Sequence, residues 1–456
     1  MYPPFVANLL KKRKDVITNL LRKKKDVLAQ TLVLCFIFAL IIWVLSLLDG
    51  LTSVDNDVRT SFLTSMNVSA IEVTEKASCT SEHFCDLEGD IRVDAKSFTI
   101  YVMTHNEMVS HSANSWVIRP YPRFYLFHTQ WIVKLMSYSE EEKISPKCTE
   151  KHYSPAILFS TDEFSLNHYH WFTDVIFPLY MTSFGYTPDI HFLVTDYADW
   201  FVPKTHTILR RWSQYPLIDI DNEKERVHCF RKLFVGLKFH GDLIVNKSSP
   251  EYAAGVSMQK FRRFLRDTYS LERQIAIEPR LVNVTRPRLM IMSRKSSRIL
   301  LNEDEISRVA NEVGFNVVIT DGEQSANQSR FAQLVNSCDV LMGVHGAGLT
   351  NMLFLPDNAV SIQMLPFGPL EWWALQQYRD PLPDMNITYL EYRISVEESS
   401  LSKQYAPDDP IIADPYSFYA KGWVTIKRIY LTNITFTIDI ERIKGTLVEA
   451  MKILQH

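Results

Sequence analysis

The sequence predicts an α/β protein with two Rossmann-like domains that face a cleft, preceded by a single transmembrane helix. Apolar runs of strand length alternate with helical patterns through most of the chain, which favours parallel strands joined by helices. A chain of 456 residues is too long for one ordinary core, so two domains are expected. Residues 27–48 carry no charge, and this run exceeds the ~20 residues that a helix needs to cross a bilayer.

The N-terminal residues predict a type II membrane protein. Lys and Arg residues precede the apolar run, in the positive-inside pattern that keeps an N-terminus in the cytosol. A cleavable signal peptide is the alternative, but the run is longer than a usual signal-peptide core and lacks a clear cleavage site. We therefore predict a cytosolic basic tail (1–26), a signal-anchor (27–48) and a lumenal stem (49–78), with the rest of the chain lumenal.

Sequons and cysteines are also typical of a secretory-pathway lumen. Asn-x-Ser/Thr sequons without proline begin at Asn67, Asn246, Asn283, Asn327, Asn386 and Asn433. The cysteines after the apolar run are Cys79, Cys85, Cys148, Cys229 and Cys338. Their spacing does not suggest zinc, so one or two disulfides are predicted. Because their number is odd, at least one thiol stays unpaired within the chain, and Cys338 is the candidate for a buried free thiol.

The charge balance argues against a nucleic-acid partner. The chain has 49 Lys and Arg residues against 52 Asp and Glu residues, and much of the positive charge lies before the apolar run. The part after the run is therefore negative, whereas nucleic-acid binding requires a basic surface. Apolar and aromatic contents of 46% and 12% are those of a globular protein.

The first predicted domain covers residues 79–278. A turn at Gly89 and Asp90 should precede a strand at 91–103, and prolines mark the loops that follow. Strands and helices then alternate, which predicts parallel pairing. The predicted elements are strands at 156–160, 190–194 and 233–237, and helices at 167–184, 200–212 and 256–271.

The second predicted domain, residues 279–456, has a clearer pattern. Asn302 and Glu305 form a capping-box-like helix start, and Gly314 should end that helix. The alternation predicts a doubly wound, Rossmann-like half without the G-x-G-x-x-G fingerprint of dinucleotide-binding dehydrogenases. The predicted elements are strands at 289–292, 315–320, 340–342 and 359–365, and helices at 302–314 and 325–337.

A glycine-rich loop follows the strand at 340–342 and leads into a predicted helix. It reads Gly343-Val344-His345-Gly346-Ala347-Gly348. Glycines let the backbone approach a ligand, and the free N–H groups of a helix start attract an anion. For the glycines alone, a tight turn without a ligand has about equal weight. His345 favours a functional site, because its ring could donate to a phosphate or a leaving group.

Basic residues follow the strand at 289–292 and should reach the same crevice as the glycine-rich loop. Arg294 offers a fork of donors suited to a diphosphate, with Lys295 and Arg298 as extra positive charge. A surface salt bridge is an equally weighted role for Arg294. Glu371, after the strand at 359–365, is a candidate acceptor for a ribose hydroxyl, or else an ordinary acid in the first turn of a helix.

A second candidate site lies at the start of the helix predicted at 167–184. Asn167, His170 and Asp174 share one face of this helix, so Asp174 is a plausible general base with His170 as its partner. The same spacing could hold a metal, but a metal site needs a third ligand. The alternative, a polar helix face capped by Asn167, has better than even odds on this pattern alone.

Taken together, the motifs resemble family 61 glycosyltransferases over residues 79–454. Three short segments further resemble the plant branch of that family that decorates xylan. Relatives tend to have glycine where this chain has Leu166, and His168-Tyr169 is a less usual filling of the motif. The family motifs are Asn167-x-x-His170-x-Phe172-x-Asp174, Cys229-Phe230, Val235-Gly236-Leu237, Ser293-Arg294, Asn302-Glu303, Phe331-Ala332-Gln333-Leu334 and Val344-His345-Gly346-Ala347-Gly348-Leu349-Thr350-Asn351. The xylan-branch segments are Cys85-Asp86-Leu87-Glu88-Gly89-Asp90, Glu391-Tyr392 and Glu397-Glu398-Ser399-Ser400-Leu401.

The resemblance implies a Golgi type II enzyme of the GT-B kind that inverts the anomeric centre. It implies a nucleotide sugar as co-substrate and no metal or other cofactor. Asp174 would be the base, oriented by His170. Arg294, Lys295 and the loop from His345 through Gly346 and Ala347 to Gly348 would hold UDP, with Glu371 nearby.

The leading hypothesis is transfer of xylose or arabinofuranose from a UDP-pentose to a xylan backbone. The acceptor could also be another glycan, and β-1,2-xylosylation of N-glycans is the alternative within enzymes. A catalytically inactive lumenal scaffold of the same fold is the alternative from another class. The enzyme could act alone or as a homo- or hetero-oligomer, and the sequence does not name the donor sugar.

Overall fold

The structure, a computed structural model, describes residues 77–105, 115–123, 129–138, 146–161, 163–277, 286–321 and 327–455. The predicted cytosolic tail, the signal-anchor and all but the last two residues of the stem lie outside these ranges. Within them, no helix combines the length and the apolar character needed to span a bilayer. The described residues belong to one compact unit, so the bounds of the two domains stay a prediction.

The N-terminal half of the described chain forms one ten-stranded mixed sheet. Its main path runs β4-β5-β3-β2-β10-β7-β8-β9, with β1 paired to β2 and β6 paired to β10. The strands are β1 (Ala77–Ser81), β2 (Phe84–Asp94), β3 (Thr99–Thr104), β4 (Ser115–Ile118), β5 (Trp131–Ser137), β6 (Glu150–Lys151), β7 (Ala156–Ser160), β8 (His191–Thr195), β9 (Ile218–Asp219) and β10 (Val227–Val235).

The predicted parallel pairing of the strands at 156–160, 190–194 and 233–237 is confirmed by β7, β8 and β10, and β3 and β5 are also parallel. Strands β10, β7, β8 and β9 are parallel, whereas β2 pairs antiparallel with β1, β3 and β10. The helices of this half are α1 (His168–His170), a π-helical turn (Trp171–Ile176), α2 (Phe177–Ser183), α3 (Phe201–Trp212), α4 (Pro250–Ala253) and α5 (Met258–Tyr269). The first three of these are consecutive and form the single helix predicted at 167–184.

The C-terminal half contains a five-stranded parallel sheet with the order β13-β11-β14-β15-β16. This is the doubly wound 2-1-3-4-5 arrangement, in which a ligand crevice lies between the first and third strands. Its strands are β11 (Arg288–Met292), β13 (Asn316–Thr320), β14 (Val340–Val344), β15 (Ala359–Leu365) and β16 (Ile387–Arg393), and a small sheet pairs β12 (Ile299–Leu300) with β17 (Thr435–Phe436).

Helices cover this sheet, and the segment after the glycine-rich loop is a 3₁₀ helix, Ala347–Phe354, rather than an α-helix. The predicted α/β class is confirmed by these alternating elements. The α-helices are α6 (Glu303–Val313), α7 (Gln328–Asn336), α8 (Glu371–Tyr378), α9 (Leu401–Gln404), α10 (Pro410–Ala413), α11 (Gly422–Ile426) and α12 (Ile440–Ile453). The remaining 3₁₀ and π segments are Glu163–Leu166, Ile220–Asn222, Pro383–Met385, Pro415–Lys421 and Lys427–Leu431.

Three local predictions are wrong. The strand predicted at 91–103 is interrupted, because β2 ends at Asp94, a turn follows and β3 begins at Thr99. Gly89 and Asp90 do not form a turn but lie inside β2, where the pairing with β10 shifts register and Gly89 takes a φ of +128°. A bulge uses the same residue types as a turn, which explains the error. Asn302 does precede α6, but its side chain bonds the backbone of Ile438 rather than capping the helix.

The cysteine prediction is confirmed. Disulfides join Cys79 to Cys85 and Cys148 to Cys229, and Cys338 is a buried free thiol. The second bridge closes a separation of 81 residues and ties the segment before β6 to β10. A long closed loop of this kind restricts the unfolded chain, so this bridge stabilises the N-terminal sheet.

Candidate active site

The carboxyl ends of β11 and β14 meet at the point where the strand order of the C-terminal sheet reverses. Arg294 follows β11 after one residue, and His345 follows β14 directly. The two strands are hydrogen-bonded neighbours, so the two segments leave the sheet side by side. Both segments therefore begin at the same edge of the sheet, where the sequence predicts a common crevice.

Two guanidinium groups lie against the glycine-rich loop. A Cβ atom placed on Gly346 would stand 2.9 Å from one terminal nitrogen of Arg294 and 2.9 Å from one of Arg298. Gly346 also has a φ of +149°, which side chains rarely adopt. Arg298 donates to the carbonyl oxygen of His345 at 2.7 Å, and Nε of Arg294 donates to the carbonyl oxygen of Ser297 at 2.8 Å. Because glycine has no Cβ, position 346 leaves room for both guanidinium groups.

Neither arginine has a carboxylate partner within ion-pair distance among the described residues. Burial and the neighbouring charge of Arg294 together lower the pKa of Arg298 to about 10. Burial also lowers the pKa of Arg294. Two half-buried cations that repel each other are costly to place together unless an anion joins them. The pair is suited to a diphosphate.

His345 lies on the same crevice as an uncharged ring. Its Nδ1 accepts from the side-chain amide of Gln363 at 2.8 Å, because the amide oxygen of Gln363 already accepts from Tyr389 at 2.8 Å. The proton of the neutral ring is therefore on Nε2. Burial lowers the pKa of His345 to about 3, and the charges of Arg298 and Arg294 add to this effect. His345 can donate a hydrogen bond without becoming charged.

The opposite wall of the site comes from the helix that starts at His168. Asn167 caps this helix by accepting from the backbone N–H of Tyr169 at 2.9 Å. A π-helical turn follows, a feature that is frequent at functional sites. His170 and Asp174 meet across this turn, with Nδ1 of His170 2.8 Å from Oδ2 of Asp174. The predicted shared face of these two residues is confirmed.

Asp174 is fully buried and all its contacts are donors. Oδ2 accepts from Tyr121 at 2.8 Å as well as from His170, and Oδ1 accepts from Arg123 at 2.8 Å and Thr173 at 2.6 Å. Burial alone would raise the pKa of Asp174, but the hydrogen bonds from His170 and Arg123 outweigh it and lower the pKa. The carboxylate is thus held ionised and away from solvent. In contrast, the His170 side chain keeps 23% of its surface exposed.

A network of aromatic and acidic side chains joins the two walls. Tyr169 donates to Asp242 at 2.5 Å, and Arg123 bridges Asp242 and Asp174. The Tyr169 ring lies 5.6 Å from that of Tyr378. Tyr378 in turn donates to the carbonyl oxygen of Gly346 at 3.0 Å. The His170 side and the glycine-rich loop therefore belong to one continuous site.

His168 makes a second link between the two walls. Its Nε2 bonds the side-chain oxygen of Asn351 at 3.1 Å, and the Asn351 amide donates to the carbonyl oxygen of Gly348 at 2.9 Å. Burial lowers the pKa of His168 to about 3, and the charge of Lys204 contributes. The unusual His168-Tyr169 pair thus connects the helix to the loop indirectly, through Asn351 and Tyr378.

The other predicted site residues lie further out. Ala347 is half-buried at the start of the 3₁₀ helix, and a Cβ on Gly348 would meet Met292 at 3.1 Å. Lys295 is exposed and pairs with Asp321 at 2.5 Å. Glu371 begins α8 but accepts a hydrogen bond from Arg393, so in this state its carboxylate takes part in an ion pair.

Several residues of the site have no local signal in the sequence. Tyr121 and Arg123 lie in an irregular segment, Asp242 in a loop, and Tyr378 at the far end of α8. Each reaches the site through a contact that spans tens of residues of sequence, such as the separation of 119 between Arg123 and Asp242. Arg123 follows a proline in the sequence, but this pattern does not indicate which residues its side chain contacts.

Comparison with known proteins gives a family match over the segment that carries the site. A family model described as Glycosyltransferase 61 matches residues 168–362. The match begins at the helix of His170 and Asp174 and extends past Arg294 and His345. Both walls of the site therefore lie inside the matched segment.

Curated relatives match a larger part of the chain. An alpha-1,3-arabinosyltransferase of Oryza sativa subsp. japonica is 38% identical over 372 residues, which are 80% of this chain and 63% of the relative. A beta-1,2-xylosyltransferase of the same plant is 37% identical over 378 residues, 82% of this chain and 65% of the relative. A xylan glycosyltransferase of Arabidopsis thaliana is 32% identical over 442 residues, 91% of this chain and 87% of the relative. The chain spans slightly less than two thirds of the two rice proteins.

Proposed function

Since the chain belongs to glycosyltransferase family 61, we propose that it transfers a pentose, xylose or arabinofuranose, from a UDP-sugar to a xylan backbone. The observation that carries this proposal is the pair of guanidinium groups of Arg294 and Arg298 at Gly346, which has no acidic partner among the described residues. A diphosphate supplies the charge that this pair lacks. The names of the rice and Arabidopsis relatives support xylan as the acceptor.

We assign the base role to His170 and the orienting role to Asp174, the reverse of the roles that the sequence suggests. Asp174 is buried and its oxygens accept four donors, so it has no face toward an acceptor. It holds the Nδ1 proton of His170 and leaves the lone pair of Nε2 for the acceptor hydroxyl. A carboxylate that fixes the tautomer of a catalytic histidine is a recurrent arrangement.

The reaction that follows is a displacement at the anomeric carbon. His170 takes the proton of the acceptor hydroxyl, whose oxygen forms the new glycosidic bond while the bond to UDP breaks. Arg294, Arg298 and the Nε2–H group of His345 stabilise the charge on the departing diphosphate. Attack from the side opposite UDP inverts the configuration of the sugar.

Several finer features are part of this proposal. They are a GT-B arrangement of the two halves, a type II anchor in the Golgi membrane and transfer without a metal. The parallel 2-1-3-4-5 sheet with its crevice supports the GT-B arrangement. The sequons and the two disulfides support a lumenal location.

The test uses the full chain, solubilised in detergent, with a panel of UDP-sugars and xylo-oligosaccharides. We expect UDP release that depends on the acceptor, with one UDP-pentose preferred, and no loss in the presence of EDTA. Arg298→Ala and Arg294→Ala should raise the KM for the donor by about tenfold or more, since each removes a charged hydrogen bond. Arg308→Ala, at an exposed position on α6, is the matched control.

Each arm of this experiment has a contrary outcome. Loss of transfer with EDTA would contradict metal independence. Transfer only to N-glycans would replace xylan as the acceptor. If no UDP-sugar is bound or turned over, the chain is a scaffold rather than an enzyme.

A further inference from the structure

A cluster of exposed aromatic rings lies next to the site and is not used by the proposed chemistry. We call it the aromatic platform; it consists of Trp372, Trp373, Tyr416, Tyr419 and Trp423. Trp372 keeps 63% of its surface exposed, Tyr416 51%, Trp423 42% and Tyr419 39%. Large aromatic side chains are costly to expose together, so a contiguous group of them marks a surface that binds something.

The rings of the platform are packed against one another. Trp373 is the centre, with ring distances of 5.8 Å to Trp372, 5.4 Å to Tyr419 and 5.2 Å to Trp423. Tyr416 extends the group, 5.9 Å from Tyr419. Tilted and edge contacts of this kind fix each ring in place. The platform is therefore a preformed surface rather than a set of separate flexible side chains.

Helix α8 connects the platform to the donor loop. It begins at Glu371, just after the carboxyl end of β15, and carries Trp372 and Trp373 in its first turn. It ends at Tyr378, which bonds the carbonyl oxygen of Gly346. The rise of a helix places Trp373 about 8 Å from Tyr378 along the axis. The platform and the contact with the glycine-rich loop therefore lie at the two ends of one short helix.

We propose that the aromatic platform binds the sugar rings of an extended, uncharged polysaccharide acceptor, beside the unit that is glycosylated. The inference rests on the proposed function, since it assigns the remote part of that acceptor. The C–H faces of a pyranose stack on aromatic rings, while the indole N–H and phenol groups serve its hydroxyls. The rings of the platform carry no charge, and Glu371, which begins the helix that carries Trp372 and Trp373, forms an ion pair with Arg393. These properties suit a chain of neutral sugars.

The experiment compares acceptors of different length on the full chain in detergent. Trp372→Ala and Trp423→Ala should raise the KM for a xylohexaose acceptor by about threefold to tenfold. The KM for the shortest acceptor and for the UDP-sugar should not change. Trp372→Phe, which keeps a ring, should restore much of the loss. Tyr252→Ala, at a 43% exposed aromatic position on α4, is the control.

A binding assay separates failure of this inference from failure of the proposed function. In gels that contain neutral xylan, the wild type should be retarded and the Trp372→Ala and Trp423→Ala variants less so, whether or not transfer occurs. Absent transfer with retained retardation would overturn the proposed function alone. No retardation of the wild type, or equal KM values at every acceptor length, would overturn the platform.

The same variants test whether the platform instead binds the lipid bilayer or a second copy of the chain. If brominated lipids in proteoliposomes quench a larger share of the tryptophan fluorescence in the wild type than in Trp372→Ala, the platform contacts the bilayer. If light scattering gives a lower molar mass for Trp372→Ala, it joins two copies of the chain. Either result, with unchanged xylan retardation, would overturn the acceptor assignment.

Discussion

At the scale of single residues, the different burial of His170 and Asp174 decides which of them acts as the base. The imidazole is partly exposed and the carboxylate is not, although they lie four residues apart on one helix. Sequence spacing predicts that the two side chains meet, but it does not say which of them faces the substrate. Burial decides this, because a proton acceptor must reach the hydroxyl that it deprotonates.

The first prediction tests this assignment. His170→Ala should lower kcat by a factor on the order of 10²–10⁴ and leave donor binding intact, because it removes the base without touching the arginine pair. Asp174→Asn should also lower kcat, because an amide no longer fixes the tautomer of His170. Initial rates of UDP release and UDP titration by calorimetry measure the two effects. His206→Ala, an exposed histidine on α3, is the control, and a His170→Ala enzyme with wild-type kcat would remove His170 from the base role.

The second prediction concerns the pH dependence of stability and a histidine far from the crevice. His191 lies at the amino end of β8, stacked 3.9 Å from the ring of Tyr215. Burial and the neighbouring His152 lower its pKa, Asp189 acts in the opposite direction, and the net pKa is about 4. As the pH falls, the unfolded chain therefore binds a proton at His191 near pH 6.5, whereas the folded chain binds it only near pH 4. Stability from this residue is present above pH 6.5 and is lost as the pH falls toward 4.

His191→Phe should keep the stacking and remove the titration. The free energy of unfolding should then fall less steeply between pH 6.5 and 4 than in the wild type, by up to one proton in the slope. Urea unfolding of the full chain in detergent, followed by tryptophan fluorescence at several pH values, gives the slopes. His206→Phe should leave the slope unchanged, and equal slopes in all three proteins would contradict the assignment.

At the scale of elements, the C-terminal strands agree closely with prediction. A buried parallel strand appears in the sequence as a continuous apolar run, and 359–365 matches its strand residue for residue, as 156–160 does in the N-terminal sheet. Errors occur where a tertiary contact outweighs a local signal. Pairing with β10 keeps Gly89 within a strand, and the side chain of Asn302 is hydrogen-bonded to the backbone of Ile438. The arginine pair was partly predictable from its position after β11, whereas Arg123 and Tyr378 were not, because their roles depend on long-range contacts.

The third prediction concerns the glycine-rich loop. In Gly346→Ala the new Cβ would collide with the guanidinium groups of Arg294 and Arg298, and the φ of +149° would be strained. We expect the KM for the UDP-sugar to rise by about tenfold or more and stability to fall by about 1–3 kcal/mol. The strain should lower the unfolding temperature. The displacement of the arginines should weaken donor binding in a titration.

Gly445→Ala serves as the matched control for this loop. Gly445 lies within α12, and nothing lies within 4 Å of a Cβ placed there. Alanine favours a helix over glycine, so this variant should gain up to about 1 kcal/mol and bind the donor normally. If Gly346→Ala behaves like Gly445→Ala, the loop does not position the arginines.

At the scale of the whole molecule, part of the N-terminal sheet shares an apolar core with the C-terminal sheet, while the rest has a core of its own. A single cluster of buried side chains extends from the N-terminal sheet through α5 into the C-terminal sheet. The rings of Phe172 and Phe354 meet at 5.8 Å, one from each side of the site. Because the two walls of the site are parts of one packed core, a loss of packing between the halves should also disturb the site.

The fourth prediction removes one of the polar links between the halves. Arg262 on α5 is fully buried and donates to the carbonyl oxygens of Leu353, Leu355 and Met385 and to Asp357. Arg262→Met keeps much of the volume but leaves buried acceptors without a donor, which should cost about 3 kcal/mol or more. Arg263→Met, exposed on the next position of the same helix, should change stability by about 0.5 kcal/mol or less. Chemical unfolding of both full-length variants gives the comparison.

Since Arg262 holds the segment that follows the glycine-rich loop, Arg262→Met should also weaken donor binding below its unfolding temperature. A destabilised variant with unchanged donor affinity would show that the core and the site are not coupled.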